Sequence, residues 1–483
     1  MRILSTDPLF PWDKLPDSVD LAALRDLLDL LPDEPLLGTL RRYRGHGRND
    51  YPVHVLWRTH VARYFLRHNH MEGCLAELGR NPALRRVVGL EEGQPIPEAW
   101  NMSRFQEVLG QPAHVALVES AFEQLIGRLA GAVPDLGRDV AGDSAALCAR
   151  PGTRQAKKKT ADGAPGLEAL GDAARRPAAQ GTAGVAAEKA SALPQPSKGK
   201  KEYKDDAGKV VNSYEWYGYK FHLLVDVKHE VALACQVTSA AGEGTGDSSV
   251  LPLLLEKARR ILPAGRIQTL AFDKAADDQK THELVHQKQI KPLIQMRELW
   301  KEEPERKLPG HEGSSNVVHD EAGTIYCYDT VSAVPVKHKM AYMGYEKDRG
   351  TLKYRCPAKH EGFTCPSDKK CNGCSTYGKT VRVKCELDLR RFPPIPRATQ
   401  EFARRYNGRT AVERINARTK IFWGADDGNV AGAERFHAHL WTIMLVHASM
   451  ANWLAMQPRY EGKSLSPTRM SQIAQRLAKA AGR

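Results

Sequence analysis

The sequence predicts an α/β protein: a mixed five-stranded sheet with flanking helices, interrupted by a large insertion and preceded by an all-α domain. Three observations carry this. Apolar residues recur at helical spacing through most of residues 1–130; β-rich runs alternate with helical ones between 137 and 296; and residues 297–396, rich in turns and cysteine, separate that stretch from a final helical region.

Composition bounds the function. At 483 residues the chain is too long for one compact core, so two to four domains are expected. Hydrophobic residues make up 42%, enough for globular folding, while a formal charge of +14 and a pI near 9.3 set the chain apart from enzymes of small metabolites and suggest a polyanionic partner. Charge alone does not separate DNA from RNA or a membrane surface. No apolar run approaches the ~18–20 residues of a membrane span, and the start, MRILSTDPLFPWDK, lacks the apolar core of a signal peptide. Nine cysteines without an export signal point to a reducing compartment, and a cytoplasmic protein is expected.

Residues 1–130 are read as a helical DNA-binding domain. LAALRDLLDLL is a short amphipathic helix; from residue 52, Val53, Leu56, Val61, Tyr64 and Leu66 recur at helical spacing until Gly79, Asn81 and Pro82 break the run. Short helices and tight turns, followed by EAWNMSRFQEVLG, suit a helix-turn-helix-like unit. A small bundle without DNA contact fits the same pattern.

The segment 131–150 holds a first strand, GRDVAGDSAALCAR, with Asp143 in its middle between a glycine and a serine. A buried strand acid needs positive compensation, which a metal ion would supply; a turn aspartate at a helix start is the alternative. Residues 151–212, rich in Ala, Gly, Lys and Pro without periodicity, read as a flexible linker insertion. From 213 to 296 come two β-rich runs around a turn at Lys228–Glu230, a helix starting near Asp247, a strand ending in Asp273, and a helix and fifth strand ending near Gln295. Strand with acid, hairpin, helix, strand with acid is the order of a ribonuclease H-like core, in which the two acids meet at one end of the sheet.

The insertion at 297–396 is too long for a loop. Within it Cys371 and Cys374 form a two-residue-spaced knuckle that Cys356 and Cys365 would complete as a structural zinc site; free cysteines in a loop are the other reading, and His360 and Cys385 are substitute ligands. Trp300 is an aromatic able to stack on an unpaired base, though packing is the plainer role.

Residues 397–456 are the last helices, and 457–483 form a basic tail with Arg459, Lys463, Arg469, Arg476, Lys479 and Arg483. His437, His439 and His447 lie in a strongly apolar helix and read as packed. Before it stands YNGRTAVERINARTK. As a helix it brings Tyr406, Arg409, Glu413 and Lys420 within an arc of about 60°. An acid flanked by two cations and a phenol can ligate a hard divalent cation while the cations hold phosphates beside it. A solvated face with an ordinary Arg409–Glu413 ion pair is the bland alternative. Gly408 inside this helix costs about 1 kcal/mol relative to Ala, for no reason visible in propensity.

The spacing Tyr-x2-Arg-x3-Glu-x6-Lys resembles the signature that closes the catalytic domain of a large group of DDE transposases from bacterial insertion sequences. The segment from NPALRRVVGL to SRFQ looks like the helical domain that precedes their core, GRDVAGDS resembles the first catalytic strand, YGYKFHLLVD the second strand, and AFDKAADD the segment with the second Asp. That segment departs from the family where Ala276 stands in place of a common Tyr, while Asp277 keeps the last position.

The resemblance implies Asp143, Asp273 and Glu413 as catalytic and metal ligands for two Mg²⁺ (or Mn²⁺) ions. It implies Tyr406, Arg409 and Lys420 as contacts to DNA, with cleavage at the element's ends followed by strand transfer into target DNA. It also implies a homodimer on double-stranded DNA and activity at the bacterial nucleoid. A nuclease on the same fold that cuts without joining, and a transposase-derived DNA-binding protein without catalysis, are the other readings.

Overall fold

The structure, a computed structural model, describes residues 18–46, 50–91, 93–150, 193–204, 209–297, 299–300, 304–311, 316–427, 429–458 and 462–465. Most of the linker expected at 151–212, and the tail cations Arg459, Arg469, Arg476, Lys479 and Arg483, lie outside these residues.

Seven helices open the described chain: α1 (Val19–Leu30), α2 (Glu34–Arg44), α3 (Val53–Phe65), α4 (Met71–Arg80), α5 (Pro82–Val88), α6 (Ala99–Leu109) and α7 (Pro112–Ala132). Their ends follow local chemistry. Ser18 accepts the Leu21 N–H at the start of α1, Asn81 accepts the Leu84 N–H ahead of Pro82 in α5, and Gly89 closes α5 in the left-handed region.

A mixed sheet follows. Its strands are β1 (Asp139–Cys148), β2 (Ser197–Lys204), β3 (Val210–Asp226), β4 (Ala232–Ser239), β5 (Thr269–Phe272) and β6 (Lys291–Ile294). β3 lies antiparallel to β1, with Asp143 opposite Leu223, and antiparallel to β4 on its other side; β1, β5 and β6 run parallel. The N-terminal half of β3 extends past β4 and pairs with β2. This corrects the linker reading: residues 197–204 and 210–212 are paired strand, because the backbone ladder of β3 needs no apolar side chains to recruit a lysine-rich partner. Between the strands, α8 (Asp247–Ile261) packs on β3 and β4, and α9 (Gln279–Gln287) joins β5 to β6.

Residues 305–384 form two small antiparallel sheets. One contains β7 (Glu305–Lys307), β8 (Val317–Asp320), β9 (Ile325–Tyr328) and β10 (Lys337–Lys339); the other contains β11 (Ala341–Glu346), β12 (Thr351–Arg355) and β13 (Thr380–Lys384), with the short helices α10 (Pro357–Glu361) and α11 (Asp368–Asn372) between the last two strands. They share a core of their own around Leu308, Val317, Ile325, Leu352, Val383 and Phe392.

The chain then returns to the main sheet with α12 (Gln400–Tyr406), α13 (Thr410–Ala417) and α14 (Ala433–Met456). α14 is apolar nearly all round, and such a helix must be covered on every side. It packs against α1, α3, α6, α7 and β4, so the N-terminal helices and the sheet share one continuous core. The separate helical domain expected at 1–130 is therefore fused to the rest.

Candidate active site

Asp143 and Asp273 reach the same edge of the sheet because their strands are parallel and in register. Ala141 pairs with Ala271, and each acid follows two residues later. Gly142 makes this approach possible: a Cβ there would meet the Phe272 ring at 2.3 Å, so the ring beside one acid lies across the backbone beside the other. Burial pushes the Asp143 carboxyl above its ordinary range; the Ser144 N–H and Arg409 oppose that, and the nearby Asp247 and Asp273 charges reinforce it.

The third acid comes from the region after α12. The stretch expected as one regular helix is four segments: α12, a tighter 3₁₀ turn at Asn407–Arg409, α13 carrying Glu413, and a wide π-turn at Arg418–Phe422. Gly408 now has a reason, since a Cβ there would stand 2.5 Å from the Val227 side chain at the β3–β4 turn. That turn also anchors the helix. Glu230, itself buried, accepts from Arg414 Nε at 2.7 Å and from the buried Arg418 at 3.2 Å, one and five residues after Glu413.

Arg409 brings the two halves together. Its guanidinium donates to Asp143 at 3.3 Å and to Glu413 at 2.7 Å. Burial works against its charge, but Glu413, Asp143 and Tyr406 hold it on. Tyr406 stacks on Phe402 with ring planes 8° apart, and its hydroxyl engages Arg409. Lys420 does not join them. The π-turn carries its ammonium to Asp426 at 3.0 Å, and Asp426 also accepts the Cys148 N–H of β1.

Among the described residues, no three His, Cys, Asp or Glu side chains are grouped to hold a metal ion as they stand. The cation between Asp143 and Glu413 is Arg409, paired with both. The donors are hard carboxylate oxygens, which suit Mg²⁺ or Mn²⁺.

Two acids near the site, Asp247 and Asp277, have partners that the sequence did not reveal. Asp247, expected only to start a helix, pairs with Lys220 and His222 at 3.1 Å each and with Ser144, and these partners outweigh burial and depress its carboxyl. Asp277 is fully enclosed. His282 at 3.0 Å, Arg390 at 2.8 Å, Arg397 at 3.4 Å and the Arg297 N–H at 2.8 Å surround it, so that despite burial its pKa falls to about 2. It ties the segment after Asp273 to both ends of the small-sheet region. A polar residue four positions from a strand-end acid was the available signal; its partners were not legible.

Cys356, Cys365 and Cys371 neighbour Cys327 of β9, whereas Cys374 is exposed. The guanidiniums of Arg306 and Arg391 lie over the Trp300 ring, 4.1 and 4.9 Å from its centre. His437, His439 and His447 are buried, and each meets a partner, such as the Ala232 N–H donating to His447 at 3.1 Å. No helix among the described residues is long and apolar enough to cross a membrane.

Comparison with known families agrees with the arrangement. The family described as transposase DDE domain matches residues 185–448, and a second, described as transposase domain (DUF772), matches residues 12–108. No curated protein matches the chain significantly. The first match spans more than half of the 483 residues and includes Asp273 and Glu413, while the second covers α1–α5 and most of α6. Such enzymes act on DNA and generally use divalent metal ions. A mixed sheet with a helical N-terminal region, matched by two transposase families in series, makes this chain a member of the DDE transposases.

Proposed function

We propose that this transposase cleaves DNA at the ends of its element and joins those ends to target DNA, with Asp143, Asp273 and Glu413 holding the divalent ions. The observation that carries the reading is the single guanidinium of Arg409 bonded to acids 270 positions apart in sequence, beside a second acid brought alongside Asp143 by strand register. Strand order β4-β3-β1-β5-β6, antiparallel on one side and parallel on the other, supports a ribonuclease H-like core into which residues 297–396 are inserted.

Each residue then has a task. Asp143 and Asp273, on the rigid sheet, fix the ion position, and Glu413 closes it from the helix side. Bound divalent ions supply Lewis acidity that activates water or a 3′-hydroxyl and stabilises the leaving oxygen. Arg409 and Lys420 grip phosphates of the element's end; Tyr406 orients Arg409 through its hydroxyl, and Asp426 aims Lys420. The helices of residues 18–132 contact the same DNA. Two copies, one per end, form the complex at the nucleoid.

The test is an assay of cutting and joining with Mg²⁺ on a labelled duplex carrying the element's own end. Wild-type protein is expected to yield both products, and Glu413→Gln neither, while DNA affinity by gel shift stays measurable. Cutting or joining by Glu413→Gln at the wild-type rate would refute the assignment.

A further inference from the structure

We propose that Arg409 is an internal counter-ion that keeps the metal site shut until DNA draws it away. The inference rests on the metal reading above and extends it from which residues bind to when they bind.

Three observations support it. The guanidinium bonds Asp143 and Glu413 at once, at 3.3 and 2.7 Å, so it stands on the line an ion shared by those acids would occupy. Among the described residues the acids are not grouped for a metal ion in this arrangement, consistent with an arginine keeping them apart. Arg409 is also well placed to leave. Glu413 is half exposed, with 51% of its side-chain surface open, whereas Asp143 at 24% and Arg409 at 22% face inwards, so the Arg409–Glu413 half of the bridge is open to solvent.

A DNA phosphodiester offers Arg409 a bidentate partner of the same unit charge as a carboxylate, set in a polyanion whose neighbouring phosphates add to the pull. If the guanidinium turns to it, two carboxylates lose their counter-ion together, and a divalent cation becomes the replacement. Coupling of this kind is reciprocal: DNA tightens metal binding by the factor by which metal tightens DNA binding. The size is that of one or two partly exposed ion pairs, about tenfold in affinity. The functional gain is that metal-dependent cutting chemistry is assembled only on bound DNA.

The experiment measures Mn²⁺ binding to the full chain by electron paramagnetic resonance of free Mn²⁺, with and without a blunt DNA duplex of arbitrary sequence. Wild type, Arg409→Gln, Arg409→Lys and Asp143→Asn are compared, and circular dichroism confirms folding. Without duplex, Arg409→Gln is expected to bind Mn²⁺ about tenfold more tightly than wild type, with Arg409→Lys between them, since an ammonium cannot span both acids. Duplex should strengthen binding by wild type and leave Arg409→Gln nearly unchanged. Equal affinities of wild type and Arg409→Gln, with both sites lost in Asp143→Asn, would overturn the gate and leave the metal site standing. Absence of Mn²⁺ binding by every form, duplex present, would overturn both.

Discussion

Two aspartates of the same sheet edge, Asp143 and Asp277, show how differently this protein treats a carboxylate. Asp277 is enclosed yet meets His282, Arg390, Arg397 and a backbone N–H, and its carboxyl is held down to about 2. Asp143 is partly buried with one cation, which it shares with Glu413, and two other acids nearby push it upwards. The first acid is saturated and serves as a clamp between the sheet and the small-sheet region. The second is under-compensated, and that deficit is what a cation would relieve.

Asp277→Asn is expected to have the largest effect on the contrast between these two acids. It leaves Arg390 and Arg397 around a neutral group, and loss of one partner from a buried ion cluster costs about 3–5 kcal/mol; urea denaturation should show a correspondingly lowered midpoint. A cost below about 1 kcal/mol would mean that the clamp is ornamental.

Next in size is Gly142→Ala, whose new Cβ would press into the Phe272 ring. Overpacking of this kind costs about 1–3 kcal/mol. Because the strain falls between Asp143 and Asp273, Mn²⁺ affinity should fall with it, whereas a substitution of equal cost in the small sheets should leave that affinity alone.

Acid titration sharpens the contrast through its sign. Asp277 has a depressed pKa, so its contribution is complete above the ordinary value of 3.8 and is lost as pH falls towards about 2. Asp143 has a raised pKa, so its ionisation costs stability at neutral pH and protonation on acidification relieves that cost. In metal-free protein, the fall of stability between about pH 4 and 2 should be shallower in Asp277→Asn than in wild type, the remaining fall coming from other depressed carboxylates such as Asp247. The smallest effect is that of Asp143→Asn at neutral pH, between no change and a gain of about 1 kcal/mol. A large loss there would show that Asp143 is as structural as Asp277.

Much of the sheet was legible in sequence. β1, the β3–β4 hairpin, α8, β5 and β6 are local patterns of apolar alternation and turn residues, and each stands within a few residues of its expected place. β2 was not legible, since its strand state is imposed by the ladder of β3 on a lysine-rich segment. Nor was the broken course of Tyr406–Lys420, where contact with Val227 and the anchoring by Glu230 override simple 100° periodicity.

What the amino-acid order determined by itself is the set of chemical groups and their local conformations: the acids on strand and helix, the glycine beside each critical contact, and the cations of residues 406–420. Which of those groups meet was decided only by the tertiary structure. Arg390 and Arg397 lie 113 and 120 residues from Asp277, and Arg409 lies 266 from Asp143. Pairings at that range carry no periodic trace along the chain, because they depend on strand register and helix docking, which many distant side chains set jointly.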